Sequence, residues 1–268
     1  MEEKKRIVIK VGTSTLIHTE SGAPDFRNLD RLARVLSDIK NAGNEVILVS
    51  SGAIGVGVYK LGMAQRPTEL RLKQAAAAVG QGELMHLYDK FFGEYGVNIG
   101  QILLTYDDVN NSKGRQNLIN TFNSLLELGV IPIVNENDSV CFEEIESEHK
   151  VFGDNDTLSA IVAVLVDADM LILLSDIDGL YEQDPRQNPK ARLIREVRVL
   201  DDDIRRIAGG AGTGLGTGGM VTKLSAADMA MSNGIDMIIT NGSDTDSLYA
   251  ILDGGQIGTL FVGRRISE

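Results

Sequence analysis

Tryptophan is absent from this chain, cysteine occurs once, and proline occurs only five times among 268 residues. A single cysteine, Cys141, cannot form a disulfide bond within the chain. The three histidines are His18, His86 and His149, and neither they nor Cys141 show the sequence spacing of a zinc site. The sequence therefore predicts neither a disulfide framework nor a metal cage built from protein ligands.

Positive charge is also scarce, because 26 Lys and Arg residues face 38 Asp and Glu residues and the net charge is −12. An acidic protein does not attract nucleic acid or anionic lipid, so neither is expected as a partner. The longest clean apolar run, Ala160 to Val166, is far too short to span a bilayer. The N-terminal residues lack the apolar segment of a signal peptide, and a soluble, cytoplasmic protein is expected.

What the chain does contain is a repeated alternation of strand-like and helix-like segments. Short apolar runs predict strands over 6–11, 45–49, 98–104, 130–134, 170–174, 236–240 and 259–262. Helical spacing predicts helices over 29–39, 68–95 with a possible break near Gly80 and Gly82, 118–128, 158–166, 201–208, 220–232 and near 248. Residues 139–151 have the alternation of a hairpin.

This alternation is typical of an α/β protein with a mostly parallel sheet covered by helices on both faces. The chain shows no repeat, low-complexity tract or clear linker, so one domain over residues 1–268 is expected. In such sheets, ligands bind beyond the carboxyl ends of the strands. The residues that follow each strand are therefore the first candidates for function.

Several predicted strands run into small or polar residues that suit anion binding. These segments are Lys10 to Ser14, Ser50 to Gly55, Asn135 to Asp138, and Ser175-Asp176. Glycine beside hydroxyl groups lets backbone N–H groups approach an anion, and a following helix adds its positive end. Each segment alone could equally be a tight strand-to-helix turn, but their convergence on one sheet edge favours a binding site.

Two lysines stand near these features. Lys10 lies in an apolar strand, where it needs a partner or a route for its ammonium group to solvent. Lys223 follows the glycine-rich stretch Gly209 to Gly219, which could cradle a phosphate or form a disordered surface loop. Gly214, Gly216 and Gly219 match a dinucleotide fingerprint by spacing, but a helix-like segment precedes them instead of the strand that the fingerprint needs. A Walker A motif is absent, because no Gly-Lys-Ser or Gly-Lys-Thr ends the stretch.

A further polar cluster, Gly153 to Asp156, leads into the predicted helix at 158. Helix N-capping could explain one of its acidic residues. One of the aspartates could instead hold the two lysines by ion pairing, or contact a metal-bound phosphate. No sequence-evident base accompanies Ser51, and Cys141 is expected to be inert. The absence of a nucleophile constellation fits phosphoryl transfer, which needs in-line positioning and charge neutralisation and no covalent help.

Taken together and in order, Lys10-Val11-Gly12-Thr13-Ser14, Ser51-Gly52-Ala53, Asn135 to Asp138, Gly153 to Asp156, and Gly214 to Met220 with Lys223 resemble the motifs of the amino acid kinase family. The resemblance covers essentially the whole chain. It implies a three-layer αβα sandwich and ATP-dependent phosphorylation of the side-chain carboxylate of L-glutamate to L-glutamyl 5-phosphate, the first step of proline biosynthesis. It also implies ATP as co-substrate, Mg²⁺, a homo-oligomer (dimer or tetramer) and feedback inhibition by proline.

The resemblance also implies roles for individual residues. Lys10 and Lys223 would neutralise the transferring phosphoryl group, and Asp156 would orient both lysines. Glutamate would be bound by the N-terminal part of the chain, through Ser51, Gly52, Ala53, Asp138 and Asn155. ATP would be bound mainly by the part from about residue 170 onwards, through Lys10, Gly12, Thr13, Ser175, Asp176, Thr217, Gly218, Gly219, Met220, Val221, Thr222 and Lys223.

Many members of the family carry an additional C-terminal PUA domain, and this chain is expected to lack it. Three alternatives to the glutamate kinase remain open at this stage. They are a sibling kinase with another acceptor, a non-catalytic amino-acid sensor that keeps the fold, and an NAD-dependent enzyme. Retention of both Lys10 and Lys223 argues against the sensor, and the context of the glycines argues against the NAD-dependent enzyme.

Overall fold

A computed structural model describes residues 4–18, 20–140, 154–209 and 218–264 of the chain. Nearly all of the hairpin expected over 139–151 and most of the glycine-rich stretch therefore lie outside the described residues. The same applies to Cys141, Gly153 and Thr217.

The described residues form one sheet of eight strands. Their bounds are Arg6–Val11 (β1), Glu45–Ser50 (β2), Ile99–Leu104 (β3), Ile131–Glu136 (β4), Met170–Ser175 (β5), Glu196–Val197 (β6), Asp236–Asn241 (β7) and Thr259–Phe261 (β8). The strand order is β3-β4-β2-β1-β5-β7-β8-β6. All neighbours are parallel except β7 and β8, so the expectation of a mostly parallel sheet is confirmed.

Helices connect these strands. Their bounds are Thr13–Leu16 (α1), Phe26–Asn41 (α2), Ala53–Lys60 (α3), Leu70–Glu94 (α4), Tyr106–Asn110 (α5), Ser112–Glu127 (α6), Asn155–Leu165 (α7), Asp202–Gly209 (α8), Gly218–Ser232 (α9) and Ser247–Leu252 (α10). Helix α8 directly precedes the glycine-rich stretch, as the sequence predicts. Among the described residues, none of the helices combines the length and hydrophobicity required to cross a bilayer.

The hydrophobic core lies in two layers, one on each face of the sheet. Because side chains alternate along a strand, β1 sends Val8 to one layer and Ile7 and Ile9 to the other. The layer with Val8 includes residues of α6, α7 and α9, and the other includes residues of α2, α4 and α10. Helices therefore cover both faces, and the three-layer αβα sandwich is confirmed.

Several boundaries near the functional edge differ from the sequence-based expectation. Helix α7 begins at Asn155 and not at 158, so Asn155 and Asp156 belong to its first turn. Strand β4 continues through Asn135 and Glu136, which are both buried and were expected to follow the strand. Helix α4 runs unbroken through Gly80 and Gly82. A Cβ atom at Gly80 would lie 1.8 Å from the carbonyl oxygen of Ala53, so this glycine permits close contact between α3 and α4 rather than a break.

Candidate active site

The carboxyl ends of the central strands bring the predicted site residues to one edge of the sheet. Lys10 is the penultimate residue of β1 and is paired with Val49 of β2 and Leu173 of β5. Asp156 lies in the first turn of α7, whose N-cap residue Asp154 accepts a 3.0 Å hydrogen bond from the backbone N–H of Thr157. The cap fixes where α7 begins and so where the carboxylate of Asp156 stands.

Lys10 and Lys223 meet at the carboxylate of Asp156. Lys223 Nζ donates a 2.9 Å hydrogen bond to Oδ2 of Asp156. Lys10 Nζ lies 2.6 Å from Oδ1 and forms a close ion pair with it. Lys223 also donates a 3.3 Å bond to the carbonyl oxygen of Gly219, one turn earlier in α9. One carboxylate therefore holds two ammonium groups from opposite ends of the chain.

These three charged groups are buried, so each needs an opposite charge close by. Lys10 and Lys223 are each 9% exposed and Asp156 is 2% exposed. Burial alone would raise the pKa of Asp156, but the two adjacent ammonium groups outweigh it and hold that pKa below its ordinary value. Two cations and one anion leave one excess positive charge at this point, in a protein whose net charge is −12. The site therefore concentrates the positive charge that phosphate binding needs.

Side-chain amides form a second network beside the charged trio. Asn155 Nδ2 donates to the carbonyl oxygen of Ser50 at 3.0 Å, to Oγ of Ser51 at 2.8 Å and to Oδ1 of Asn135 at 3.1 Å. Asn135 Nδ2 in turn donates to Oε1 of Gln81 at 2.9 Å. We call Asn155, Asn135 and Gln81 the amide relay; it joins α7, β4 and α4 to the end of β2.

Ser51, Gly52 and Ala53 form the turn between β2 and α3. Gly52 has φ 98°, a left-handed conformation that residues with a side chain rarely adopt. Beneath the turn, Tyr88 is fully buried and its hydroxyl lies 2.8 Å from Oγ of Ser50. This turn directs the N-terminus of α3 towards the sheet edge and keeps the hydroxyl of Ser51 against Asn155.

A pocket of about 300 Å³ opens next to this turn. Its wall consists of Ala53, Ala77, Ala78, Gln81, Gly82, Gln101, Leu103, Glu136, Asn137, Asp138 and Ser139. Burial raises the pKa of Asp138, and the positive charge of Arg66 opposes that rise. A half-buried carboxylate in a small pocket suits a ligand that carries an ammonium group.

Four of the residues expected at the nucleotide lie at the carboxyl ends of β5 and β1. Ser175 ends β5, and its hydroxyl donates a 3.2 Å bond to Oδ1 of the exposed Asp176. Gly12 directly follows β1, and a Cβ atom added to it would lie 3.9 Å from Lys10 Nζ. Thr13 begins α1, and its Cγ2 atom would lie 3.8 Å from a Cβ atom added to Gly52.

The remaining nucleotide candidates belong to the first turns of α9. This group consists of Gly218, Gly219, Met220, Val221 and Thr222. Thr222 Oγ1 lies 3.5 Å from Oδ2 of Asp156 and donates a 3.0 Å bond to the carbonyl oxygen of Gly219.

The structure adds site residues that the sequence does not single out. Asn135 and Glu136 belong to a motif recognised in the sequence, although only Asp138 of that motif receives a role there. Gln81 and Tyr88 carry no motif at all, because both are helix residues that reach the site only through the packing of α4. Within the described part of the chain, no group of three His, Cys, Asp or Glu side chains is arranged to hold a metal ion.

Comparison with known proteins shows which family the chain resembles. A model of the amino acid kinase family matches residues 5–241. A glutamate 5-kinase from Clostridium perfringens is 55% identical over 265 residues, covering 99% of this chain and 98% of that protein. A glutamate 5-kinase from Listeria monocytogenes serovar 1/2a is 54% identical, covering 99% and 95% of the two chains.

Solved structures agree on the fold. Carbamate kinase from Giardia lamblia bound to AMP-PNP superposes with a TM-score of 0.69 at 19% identity, covering 98% of this chain and 99% of that one. Isopentenyl phosphate kinase from T. acidophilum, in a product complex, gives a TM-score of 0.64 at 19% identity, covering 95% and 99%. At this identity the likeness concerns the fold alone.

Proposed function

Because the chain belongs to the amino acid kinase family, we propose that it is an ATP-dependent kinase that phosphorylates the side-chain carboxylate of L-glutamate. The product is L-glutamyl 5-phosphate, which enters proline biosynthesis. The observation that carries the proposal is the placement of Lys10 and Lys223 on one carboxylate at the carboxyl edge of the sheet. The 55% identity to a glutamate 5-kinase across nearly the full length supports glutamate as the acceptor.

In this reaction an oxygen of the glutamate carboxylate attacks the γ-phosphorus of ATP, and the bond between that phosphorus and the bridging oxygen breaks. The electron pair leaves with ADP. The attacking carboxylate is already ionised at neutral pH, so no side chain has to act as a base. Lys10 and Lys223 neutralise charge on the phosphoryl oxygens, and Asp156 holds both ammonium groups in place.

We assign glutamate to the pocket beside α3 and ATP to the ends of β5 and β7 with α9. Ser51, Gly52, Ala53, Asn155 and Asp138 would contact glutamate, with Asp138 facing its α-ammonium group. ATP would lie against Gly12, Thr13, Ser175, Asp176 and residues 217–223. The chain would act as one kinase domain over 1–268 whose N-terminal part receives glutamate and whose part from about 170 receives ATP.

Mg²⁺ fits this site as a companion of ATP. Both oxygens of Asp156 already face ammonium groups, and no cluster of three acidic or histidine side chains exists in the described residues. The phosphates of ATP and water would therefore supply most of the ligands, as Mg²⁺ commonly prefers. When bound, the ion offsets phosphate charge. The family further suggests a homo-oligomer and inhibition by proline.

The test is a coupled assay with glutamate, ATP and hydroxylamine, which traps an acyl phosphate as a hydroxamate. We expect hydroxamate and ADP to form together and to require glutamate. Turnover with aspartate, acetylglutamate, carbamate or a phosphate monoester in its place would reassign the acceptor. Thermal stabilisation by glutamate without ADP release would instead identify a sensor that keeps the fold.

A further inference from the structure

A backbone atom determines the direction of the hydrogen bonds in the amide relay. The carbonyl oxygen of Ser50 can only accept, so Asn155 must turn its Nδ2 group towards it. The same nitrogen lies 3.1 Å from Asn135, which must therefore accept through Oδ1 and present Nδ2 on its other side. That nitrogen meets Gln81, whose Oε1 must accept. The Ser50 carbonyl thus fixes which way all three amides face.

Gln81 is the end of the relay, and it lies in the wall of the pocket assigned to glutamate. Its oxygen is engaged by Asn135, whereas its nitrogen has no hydrogen-bond partner among the described residues. Gln81 is only 9% exposed, so bulk solvent reaches it poorly. An amide nitrogen that has no partner among the described residues, on a mostly buried side chain beside a pocket, is a donor placed for a ligand.

The position of Gln81 is rigid because α4 lies in backbone contact with α3. A Cβ atom at the preceding residue, Gly80, would overlap the carbonyl oxygen of Ala53 at 1.8 Å. A Cβ atom at Gly57 would overlap the carbonyl oxygen of Ala76 at the same distance. These two close approaches leave little freedom for α4 to shift, so Gln81 and Ala53 keep their places in the same pocket wall.

We propose that Gln81 selects the substrate, and that its amide nitrogen donates a hydrogen bond to the α-carboxylate of glutamate. This inference rests on the proposed function. The α-ammonium and α-carboxylate groups of an amino acid share one carbon, so their partners must line one pocket. Asp138 suits the ammonium group, and its charge would repel the neighbouring carboxylate unless a donor faced that carboxylate. Gln81 supplies that donor.

The test uses Gln81→Glu, which keeps the oxygen that accepts from Asn135 and replaces the donor nitrogen with a second acceptor. Two substrates are compared, L-glutamate and L-isoglutamine. Isoglutamine keeps the side-chain carboxylate but has an amide in place of the α-carboxylate. The readouts are kcat/KM for each, and calorimetric dissociation constants measured without ATP. Thermal unfolding checks that the variants fold.

The matched control is Gln101→Glu, which adds the same charge to the same pocket from an exposed position on β3 outside the relay. We expect Gln81→Glu to lower the preference for glutamate over isoglutamine about tenfold or more, because a buried donor to a charged group is lost and an amide donor is now accepted. Gln101→Glu should weaken binding of glutamate more than binding of isoglutamine through charge repulsion, but from an exposed position this should change the preference by less than about threefold.

Equal changes of the preference in the two variants, or none in Gln81→Glu, would overturn the role of Gln81. If Gln81→Glu does not fold, Gln81→Met replaces it, and an undiminished preference for glutamate in that variant overturns the role equally. A wild-type chain that makes no hydroxamate from glutamate refutes the proposed function itself. Activity in the wild type with unaltered selectivity in the variants refutes only the inference.

Discussion

Lys223 donates a 2.9 Å hydrogen bond to Asp156, although 67 residues separate the two in the sequence. The bond joins the first turns of α9 to the first turn of α7 and is buried. Lys10 approaches the same carboxylate from β1. The chemistry proposed for the chain depends on this meeting of charges more than on any single motif.

Removing either ammonium group is expected to stop phosphoryl transfer. Lys10→Ala and Lys223→Ala should each lower kcat by at least about a hundredfold, because a charge aimed at the transferring phosphoryl group is lost. Arginine need not rescue either position, since its guanidinium is larger and planar. The assay is ADP release with saturating glutamate, with Lys90→Ala on the exposed face of α4 as the control. Near-normal turnover in either variant refutes the role of that lysine.

Asp156→Asn is expected to destabilise the fold by about 3 kcal/mol, because two buried ammonium groups lose their common counter-charge. The pKa of Asp156 is held below its ordinary value of 3.8, so the unfolded chain takes up this proton more readily than the folded one. The stability that the carboxylate contributes is therefore complete above that ordinary value, and it is lost as the pH falls through the lower folded value.

Urea unfolding from pH 7 down to pH 3 measures this dependence. The difference between the wild type and Asp156→Asn should be constant near neutrality and shrink below about pH 4. Asp89→Asn, on the exposed face of α4, serves as the control. A difference that grows in acid would contradict the assigned direction of the pKa shift.

Gly80→Ala is expected to lower stability by more than about 2 kcal/mol, because its Cβ atom would lie 1.8 Å from the carbonyl oxygen of Ala53 and backbone must move. Gly93→Ala in the same helix has nothing within 4 Å of the added atom. That variant should gain about 0.5–1 kcal/mol from helix propensity. Thermal and denaturant unfolding compare the two. Similar stability for both variants would disprove the tight α3–α4 contact.

Tyr88→Phe removes one hydroxyl from beneath the turn at Ser51. Ser50 Oγ donates to the carbonyl oxygen of Ser51 at 3.1 Å, so Tyr88 is the donor in the 2.8 Å bond between the two hydroxyls. Loss of that donor should cost about 1–2 kcal/mol of unfolding free energy, because a buried acceptor loses a partner. Tyr59→Phe, at a half-exposed position, is the matched control and should be nearly neutral. An equally small effect for Tyr88→Phe would show that the bond adds no stability.

The sequence predicts seven of the eight strands and the functional edge, but not the two-residue edge strand β6 (Glu196–Val197). Strands such as Met170–Ser175 are almost continuous apolar runs. The carboxyl ends of parallel strands must share one edge, so the meeting of Lys10 with distant segments followed from topology. Gln81 could not be found this way. Its place depends on the depth to which α4 packs against α3, and that depth is set by tertiary contacts at Gly57 and Gly80.

The predicted boundaries of α4 and β4 were wrong for a related reason. Glycine in a helix is ordinarily unfavourable, so Gly80 and Gly82 suggested a break in α4. Packing overrides that preference, because a side chain at Gly80 would prevent the close approach of α3. Asn135 and Glu136 appeared too polar for a strand, yet Asn135 is satisfied within the amide relay and remains in β4.

The shared carboxylate also bears on how the protein is made. Lys10 and Asp156 leave the ribosome well before Lys223, and by themselves they form a neutral pair with no surplus cation to attract a polyphosphate. Only when α9 docks does a second ammonium group arrive. Partly synthesised chains would then bind cellular nucleotides weakly, and nucleotide binding would develop only after α9 has packed against α7.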